Sequence, residues 1–394
     1  MLKKIFFLML LFFILSFACV LANPMRQAED TNNKPEEIHI YIPFEHQASL
    51  FMNADIISRS PKVKKVIWGY NRFEGKEEKY NVTHVGKQRL SNATEIQNGF
   101  LYSDLNELNR LYRKYPNAEY HIHTAIFMSL TRLIPILDII PKKNIKQIDL
   151  YESSVGRTYQ GNTYLWKNYY TFNKEELQTC IKYHCLKTWN LIFSLHLLYP
   201  TTYHLGLLSE LKKDPKMQHF IEGTQTAVLE DMNIEKLKNS LTDDQKDVLL
   251  EVYDVDVNNY KKIIAKKKVH LFIIGHASDG IKDNEFEKLL VAIQDWKSQK
   301  TDPDALFFIK PGRDKSIMDK LRKAKVYIPE FPIQAPFELL VLKDLVPDSI
   351  SGTSSSLFFN IPKEKIGKIY KTNEGNHLPL LEKIYGKEKV VAVH

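Results

Sequence analysis

Short runs of β-branched and aromatic residues alternate with helix-length segments in two separate series, and this alternation limits the fold more than any other feature. In the first series, strand patterns fall at residues 38–42, 64–68, 118–122 and 145–151. Helices are predicted over 104–115 and over 125–140, where Pro141 stops the second. The second series opens at 269–275 and continues through a helix over 284–297, a strand at 305–309 and a helix over 315–323. It ends with a strand near Val326, a helix over 336–342 and a turn at 351–357 that leads into a further element. Strands separated by helices pair in parallel, because a parallel crossover needs a long connection that a helix supplies. Residues 171–263, between the two series, read as largely helical, with one helix over 243–253. An α/β protein of two lobes follows, its ligand expected in the interlobe cleft at the carboxyl ends of the strands. The 394 residues exceed what one core usually supports, which agrees.

The first residues are of another kind. Lys3 and Lys4 precede an uncharged apolar run from Ile5 to Ala22, the pattern of an export signal. Val20-Leu21-Ala22 fits a small-residue cleavage site, while the run is nearly long enough to stay as a membrane anchor, and both fates remain open. Lipidation at Cys19 is the weaker third reading, since Ser16 and Phe17 stand where an aliphatic and a small residue are preferred. Residues 23–37 are polar and read as a tether. Lysines before the run and acids after it send the body out of the cytoplasm, to the periplasm or the cell envelope and surface if the host is bacterial.

Removing residues 1–22 takes two lysines from a formal charge of +8 and leaves +6. The basic runs are short, separated by acidic stretches and free of interleaved aromatics, so no nucleic-acid partner is expected. Cys180 and Cys185 remain, five apart in a helical segment where they point to different faces. With His184 beside them they still lack zinc spacing, and no metal site is expected.

Three stretches resemble the bacterial sialyltransferases of glycosyltransferase family 80. The first is Ser129 to Leu137 with Ile148-Asp149-Leu150-Tyr151-Glu152, and the second is Pro200-Thr201-Thr202-Tyr203-His204-Leu205. The third runs from Phe331 through Phe337-Glu338-Leu339-Leu340 and Leu345-Val346-Pro347-Asp348 to Gly352-Thr353-Ser354-Ser355-Ser356-Leu357-Phe358-Phe359 and Ile361 to Ile366. The resemblance implies a GT-B fold of two Rossmann-like lobes. An acceptor lobe would span 38–200, completed by 375–394, and a nucleotide-binding lobe 201–374. It implies inverting, metal-independent transfer of sialic acid from CMP-sialic acid to a galactoside-type glycan, with no cofactor beyond that donor. Partners would be the sugar nucleotide and the glycan, and the membrane if the leader is retained.

By the same resemblance, Ser355 and Ser356 hold the CMP phosphate, and Glu338 grips the ribose diol. On residues alone, the serines read as a helix cap and Glu338 as a first-turn acid. The family carries Tyr-Asp-Asp-Gly, whose second acid is the base; this chain reads Tyr151-Glu152-Ser153-Ser154-Val155-Gly156, which puts Ser153 at the base. A neutral hydroxyl does not take a proton at neutral pH, so Glu152 is the candidate displaced base, a rim residue being the plain alternative. The family Lys-Gly-His-Pro becomes Lys310-Pro311-Gly312-Arg313, with Pro311 in the place of the acid. Lys310 or Arg313 would then balance the leaving phosphate, with Pro311 and Gly312 beside the nucleotide. Met128 stands where a family His faces the sugar, with His123 and His276 as nearby candidates on the acceptor side. Alternation puts His121 and His123 on one face of a strand, where a packed His is the commoner outcome. Two readings therefore compete: a transferase with relocated groups, and a cleft that binds a CMP-sugar, sialic acid or glycan without turnover. A pure scaffold has no motif of its own.

Overall fold

The computed structural model describes residues 37–43, 46–69, 72–86, 102–126, 130–155, 173–183, 189–265, 267–275, 281–299, 302–312, 316–333, 335–372 and 377–393. The chain divides into Met1–Glu36 and Glu37–His394, and every described residue belongs to the second unit. The leader, Cys19 and the tether up to residue 36 thus lie outside the described residues, as do Cys185 and His184. Among the described residues, no helix is long and apolar enough to cross a membrane.

Two parallel sheets form the body. The first is built from β1 (Glu37–Ile42), β2 (Lys64–Trp68), β3 (Val82–Val85), β4 (Glu119–Ala125), β5 (Ile145–Tyr151), β6 (Thr201–Leu205) and β7 (Val228–Asp231), in the order β3-β2-β1-β4-β5-β6-β7. The second comprises β8 (Val269–Ile273), β9 (Leu306–Lys310), β10 (Ser349–Thr353), β11 (Ile366–Lys371) and β12 (Val390–Ala392), in the order β12-β11-β10-β8-β9. Every strand predicted from the sequence is present except the one near Val326. There Lys325 takes a positive φ of 61° and Pro329 and Pro332 lack N–H donors, so only an isolated bridge between Ile309 and Glu330 forms.

Period-two alternation divides the first sheet into two unlike faces. Ile38, Ile40, Tyr120, Ile122, Ile148, Leu150 and Tyr203 point to one side and pack with Leu108, Leu133, Ile134 and Leu177 from the helices Tyr102–Lys114, Leu130–Ile139 and Lys174–Lys182. His39, Tyr41, His121, His123, Asp149, Tyr151 and His204 have the opposite parity. They face the helix His46–Ser58, whose Asp55 accepts a 2.6 Å hydrogen bond from Tyr41. This helix escapes a periodicity reading because its polar residues, among them Gln47, Asn53 and Asp55, are spread round it instead of forming one face, the helix being buried on both sides. The helix expected from residue 125 starts at Leu130, since Thr124 and Ala125 still pair with β5.

The expected lobe boundary at residue 200 is wrong. β6 pairs with β5 and β7 with β6, so the first sheet runs to Asp231, and the stretch read as helical holds two strands among short helices. The tail expected to complete the first lobe instead adds β12 beside β11, at the edge of the second sheet. One ion pair, Lys383 with Glu210 at 3.4 Å, still ties it to the first lobe.

The helices Ile234–Ser240, Asp243–Val252 and Val257–Ile264 join the two lobes in one apolar cluster. Leu50, Met52 and Ile56 of the first lobe share it with Leu249 and Leu250 from the joining helices and with Leu271, Ile350 and Leu340 of the second. Asn53 donates to the Tyr253 hydroxyl at 3.1 Å, and Tyr260 meets Phe331 edge to face at 5.4 Å. On its outer side the second sheet packs Phe272, Ile309 and Tyr370 on Trp296, Ile293 and Leu321 from the helices Asp283–Ser298 and Ser316–Lys323.

His377, ahead of the helix Leu378–Tyr385, has a buried Nδ1 without a partner, and burial pushes its pKa down to about 4. Its ordinary value in the unfolded chain is higher, so between pH 6.5 and 4 the unfolded state binds the extra proton and stability falls as pH falls. Over that window the loss reaches about 3 kcal/mol for this one group. Denaturant unfolding of His377→Gln should show a pH slope shallower than wild type by about one proton. An unchanged slope contradicts the assignment.

Candidate functional site

In the second lobe the carboxyl ends of β8 and β10 meet at a close backbone crossing. Gly275 donates to Thr353 Oγ1 at 2.9 Å, and that hydroxyl donates back to the Gly275 carbonyl at 3.2 Å. A Cβ on Gly275 would lie 2.0 Å from the Ser354 carbonyl, so only glycine lets the Ser354-Ser355-Ser356 turn sit there. Ser355 caps the 3-10 helix Ser356–Asn360, its Oγ accepting from the Leu357 N–H at 3.3 Å. Ser354, adjacent, is buried with a hydroxyl that finds no partner.

The far end of that 3-10 helix fixes Glu338. Asn360 Nδ2 donates to Glu338 Oε1 at 2.8 Å, and the carboxyl is buried at the start of the helix Glu338–Leu342. Burial raises its pKa, while Asn360 and the charge of Lys310 act in the other direction. Lys310 ends β9 and donates to the Ile333 carbonyl at 3.2 Å. The structure therefore brings Glu338, Lys310 and the serine turn to one region at the carboxyl ends of β8, β9 and β10. Pro311 and Gly312 follow β9 directly; Arg313 lies outside the described residues, as do His276 and Met128.

At the carboxyl ends of the first sheet, Glu152 is buried instead of standing on a rim. Its N–H donates to the His204 carbonyl at 2.9 Å, and its Oε2 accepts the Gly206 N–H at 2.6 Å, clasping the end of β5 to the segment after β6. Beside it Ser153 is buried with an unpartnered hydroxyl. Thr124 Oγ1 on β4 and Gln47 Nε2 on the helix His46–Ser58 are likewise buried without partners; Gln47 Oε1 accepts from Val155 N–H at 2.7 Å. Buried polar atoms are nearly always satisfied, so orphans gathered at strand ends mark where a ligand or water would bond. Thr124 and Gln47 were not singled out from the sequence. The legible signal was Thr124, a polar residue at the parity of Tyr120 and Ile122.

His123, a candidate for the acceptor side with packing as the commoner outcome, is packed. It is 1% exposed and its Nε2 hydrogen-bonds His39 Nδ1 at 2.7 Å, within a polar row that crosses the sheet. His204 continues the row, with Nε2 3.1 Å from Asp149 Oδ1 and its ring stacked on Tyr151 at 4.3 Å.

Residues 237–393, which contain the serine turn, Glu338 and Lys310, match the family model described as Sialyltransferase PMO188. No curated relative matches by sequence. Among solved structures, the chain superposes on the 2,6-sialyltransferase of Photobacterium sp. JT-ISH-224, a ternary complex with CMP and lactose. The TM-score is 0.69 at 18% identity, over 91% of this chain and 78% of that one. The chain has the fold of the bacterial sialyltransferases. The GT-B domain of the Photobacterium damselae sialyltransferase agrees, with a TM-score of 0.67 at 16% identity over 90% and 99% of the two chains. So does the α/β-galactoside α-2,3-sialyltransferase of Photobacterium phosphoreum, at 0.66 and 16% over 91% and 99%.

Within this sialyltransferase fold, Glu152 has a structural duty that can be measured. Glu152→Ala leaves the Gly206 N–H buried without an acceptor and should cost about 1–3 kcal/mol in urea unfolding. Glu152→Gln keeps an acceptor oxygen and should cost less. Equal stability of wild type and Glu152→Ala would remove the clasp from the account.

Proposed function

We propose that this chain binds a CMP-sugar on its second lobe and transfers the sugar, sialic acid by its fold and family match, to a galactoside-type glycan outside the cytoplasm. The observation that carries the reading is the grouping of Glu338, Lys310 and the Ser354-Ser355-Ser356 turn at the carboxyl ends of three parallel strands. A buried carboxylate suits a ribose diol, and a turn of serine hydroxyls suits a phosphate. In the reaction the acceptor oxygen forms a bond to the anomeric carbon of the sugar as the bond to the CMP phosphate breaks. The acceptor proton passes to a base, and Lys310 or Arg313 balances the charge of the departing CMP. No step requires a metal, and inversion follows from a single displacement.

Glu152 is the carboxylate beside Ser153, so it is the base of this proposal. To act it exchanges the Gly206 N–H for the acceptor hydroxyl. The same clasp favours a second reading, in which Glu152 stays structural, Ser153 takes no proton, and the cleft holds its ligand without turnover.

One set of assays on the full-length protein in detergent separates the two. Calorimetric titration should show CMP binding that falls by about tenfold or more in Glu338→Gln, the scale of one lost charge-assisted hydrogen bond. Release of CMP from CMP-sialic acid should depend on lactose, persist in EDTA and drop by about a hundredfold or more in Glu152→Gln. CMP binding without release supports the ligand-holding reading. Absence of CMP binding contradicts the transferase and any cleft that holds a CMP-sugar.

A further inference from the structure

Both β1 and β4 open with the same triplet pattern, Glu37-Ile38-His39 and Glu119-Tyr120-His121. Parallel register sets Glu37 beside Glu119 and His39 beside His121. Glu119 turns to Lys146 at 3.1 Å, whereas Glu37 draws in both imidazoles. His39 Nε2 is hydrogen-bonded to Glu37 Oε1, and His121 Nε2 lies 3.7 Å from the same oxygen. These three donor atoms all lie within 4.8 Å of one another. Ligands bound at about 2.0–2.2 Å from a shared ion sit about 3–3.5 Å apart, so small side-chain shifts suffice. The two rings are stacked at 4.5 Å, and a shared ion requires them to tilt toward each other, a soft rotation at the sheet rim.

A row of polar side chains continues inward behind this triad. Glu37 is hydrogen-bonded to His39, and His39 Nδ1 to His123 Nε2 at 2.7 Å, while His123 Nδ1 lies 3.5 Å from both Asp149 Oδ2 and the Tyr151 hydroxyl. Two neutral imidazoles carry one N–H each, which serves the two hydrogen bonds of this row.

We propose that Glu37 Oε1, His39 Nε2 and His121 Nε2 bind a divalent transition-metal ion at the amino-terminal rim of the first sheet. Two imidazoles with one carboxylate select zinc-like ions over calcium or magnesium. His39 Nδ1–H then donates to His123, and His123 Nδ1–H points to Asp149, the outer-shell chain that orients a ligating imidazole. Glu37 is 40% exposed and His121 19%, which admits the ion and its remaining water ligands. Arg59 lies 3.8 Å from Glu37 and opposes the ion, but Asp55 holds its Nε at 2.6 Å and offsets that charge. The site is at the opposite strand ends from Glu152 and the serine turn, so it is separate from sugar transfer.

The test uses untagged full-length protein in detergent, stripped with a chelator and titrated with Co²⁺. One equivalent should bind with visible d–d absorption that Zn²⁺ abolishes. Glu37→Gln and His121→Gln, both at the exposed rim, should each weaken binding by more than about tenfold. His204→Asn, on the same face but outside the triad, should leave it unchanged. Absence of stoichiometric binding by wild type, or full affinity in both rim variants, overturns the proposal.

Discussion

In-register parallel pairing of β1, β4, β5 and β6 is the constraint on which the rest of this structure depends. It aligns Ile38 with Tyr120 and Ile40 with Ile122 on one face, and His39 with His121 and Tyr41 with His123 on the other. β5 extends both faces through the pairs Ile122 with Ile148 and His123 with Asp149. Slipping one strand by a single residue would drive histidines into the apolar layer and isoleucines against Asp55 and Arg59. Burying charge or unpaired imidazole in that layer costs several kcal/mol, which makes the polar row a register lock as well as a chemical feature.

The two lobes are not independent solids. The helix His46–Ser58 is buried between the polar face of the first sheet and the joining helices, which in turn pack on Leu339, Leu340 and Val341 at the base of the Glu338 helix. Ion pairs Lys238 with Asp344 at 2.6 Å and Lys343 with Asp247 at 2.7 Å tie the same elements at their exposed edges. Exposed pairs of this kind contribute little to stability, so the apolar cluster carries the connection.

Much of this architecture was legible in the residues. β-branched runs such as Val269 to Ile273 and the helix expected over 243–253 appear where their chemistry puts them. The serine turn and Glu338 were legible through family resemblance, and their adjacency through Asn360 was not, because Asn360 acts on a residue 22 positions away. The helix His46–Ser58 has no polar face to betray it, and β6 looked like a landmark motif among helices. Glu152 was visible as the nearest carboxylate to Ser153. Its clasp on Gly206 depends on β5 and β6 being neighbours, which no local pattern states. The Glu37, His39 and His121 triad is written twice as Glu-x-His, but becomes a cluster only when register brings the copies together.

The central claim is that the nucleotide lies on the second lobe, between the serine turn and Glu338. Hydrogen exchange followed by mass spectrometry, with and without CMP, tests it most directly. The account predicts slower exchange for peptides covering 354–360 and 338–342, with the Glu37–Ile42 strand unchanged. Protection confined to the first lobe, or absent from both second-lobe segments at saturating CMP, would contradict it.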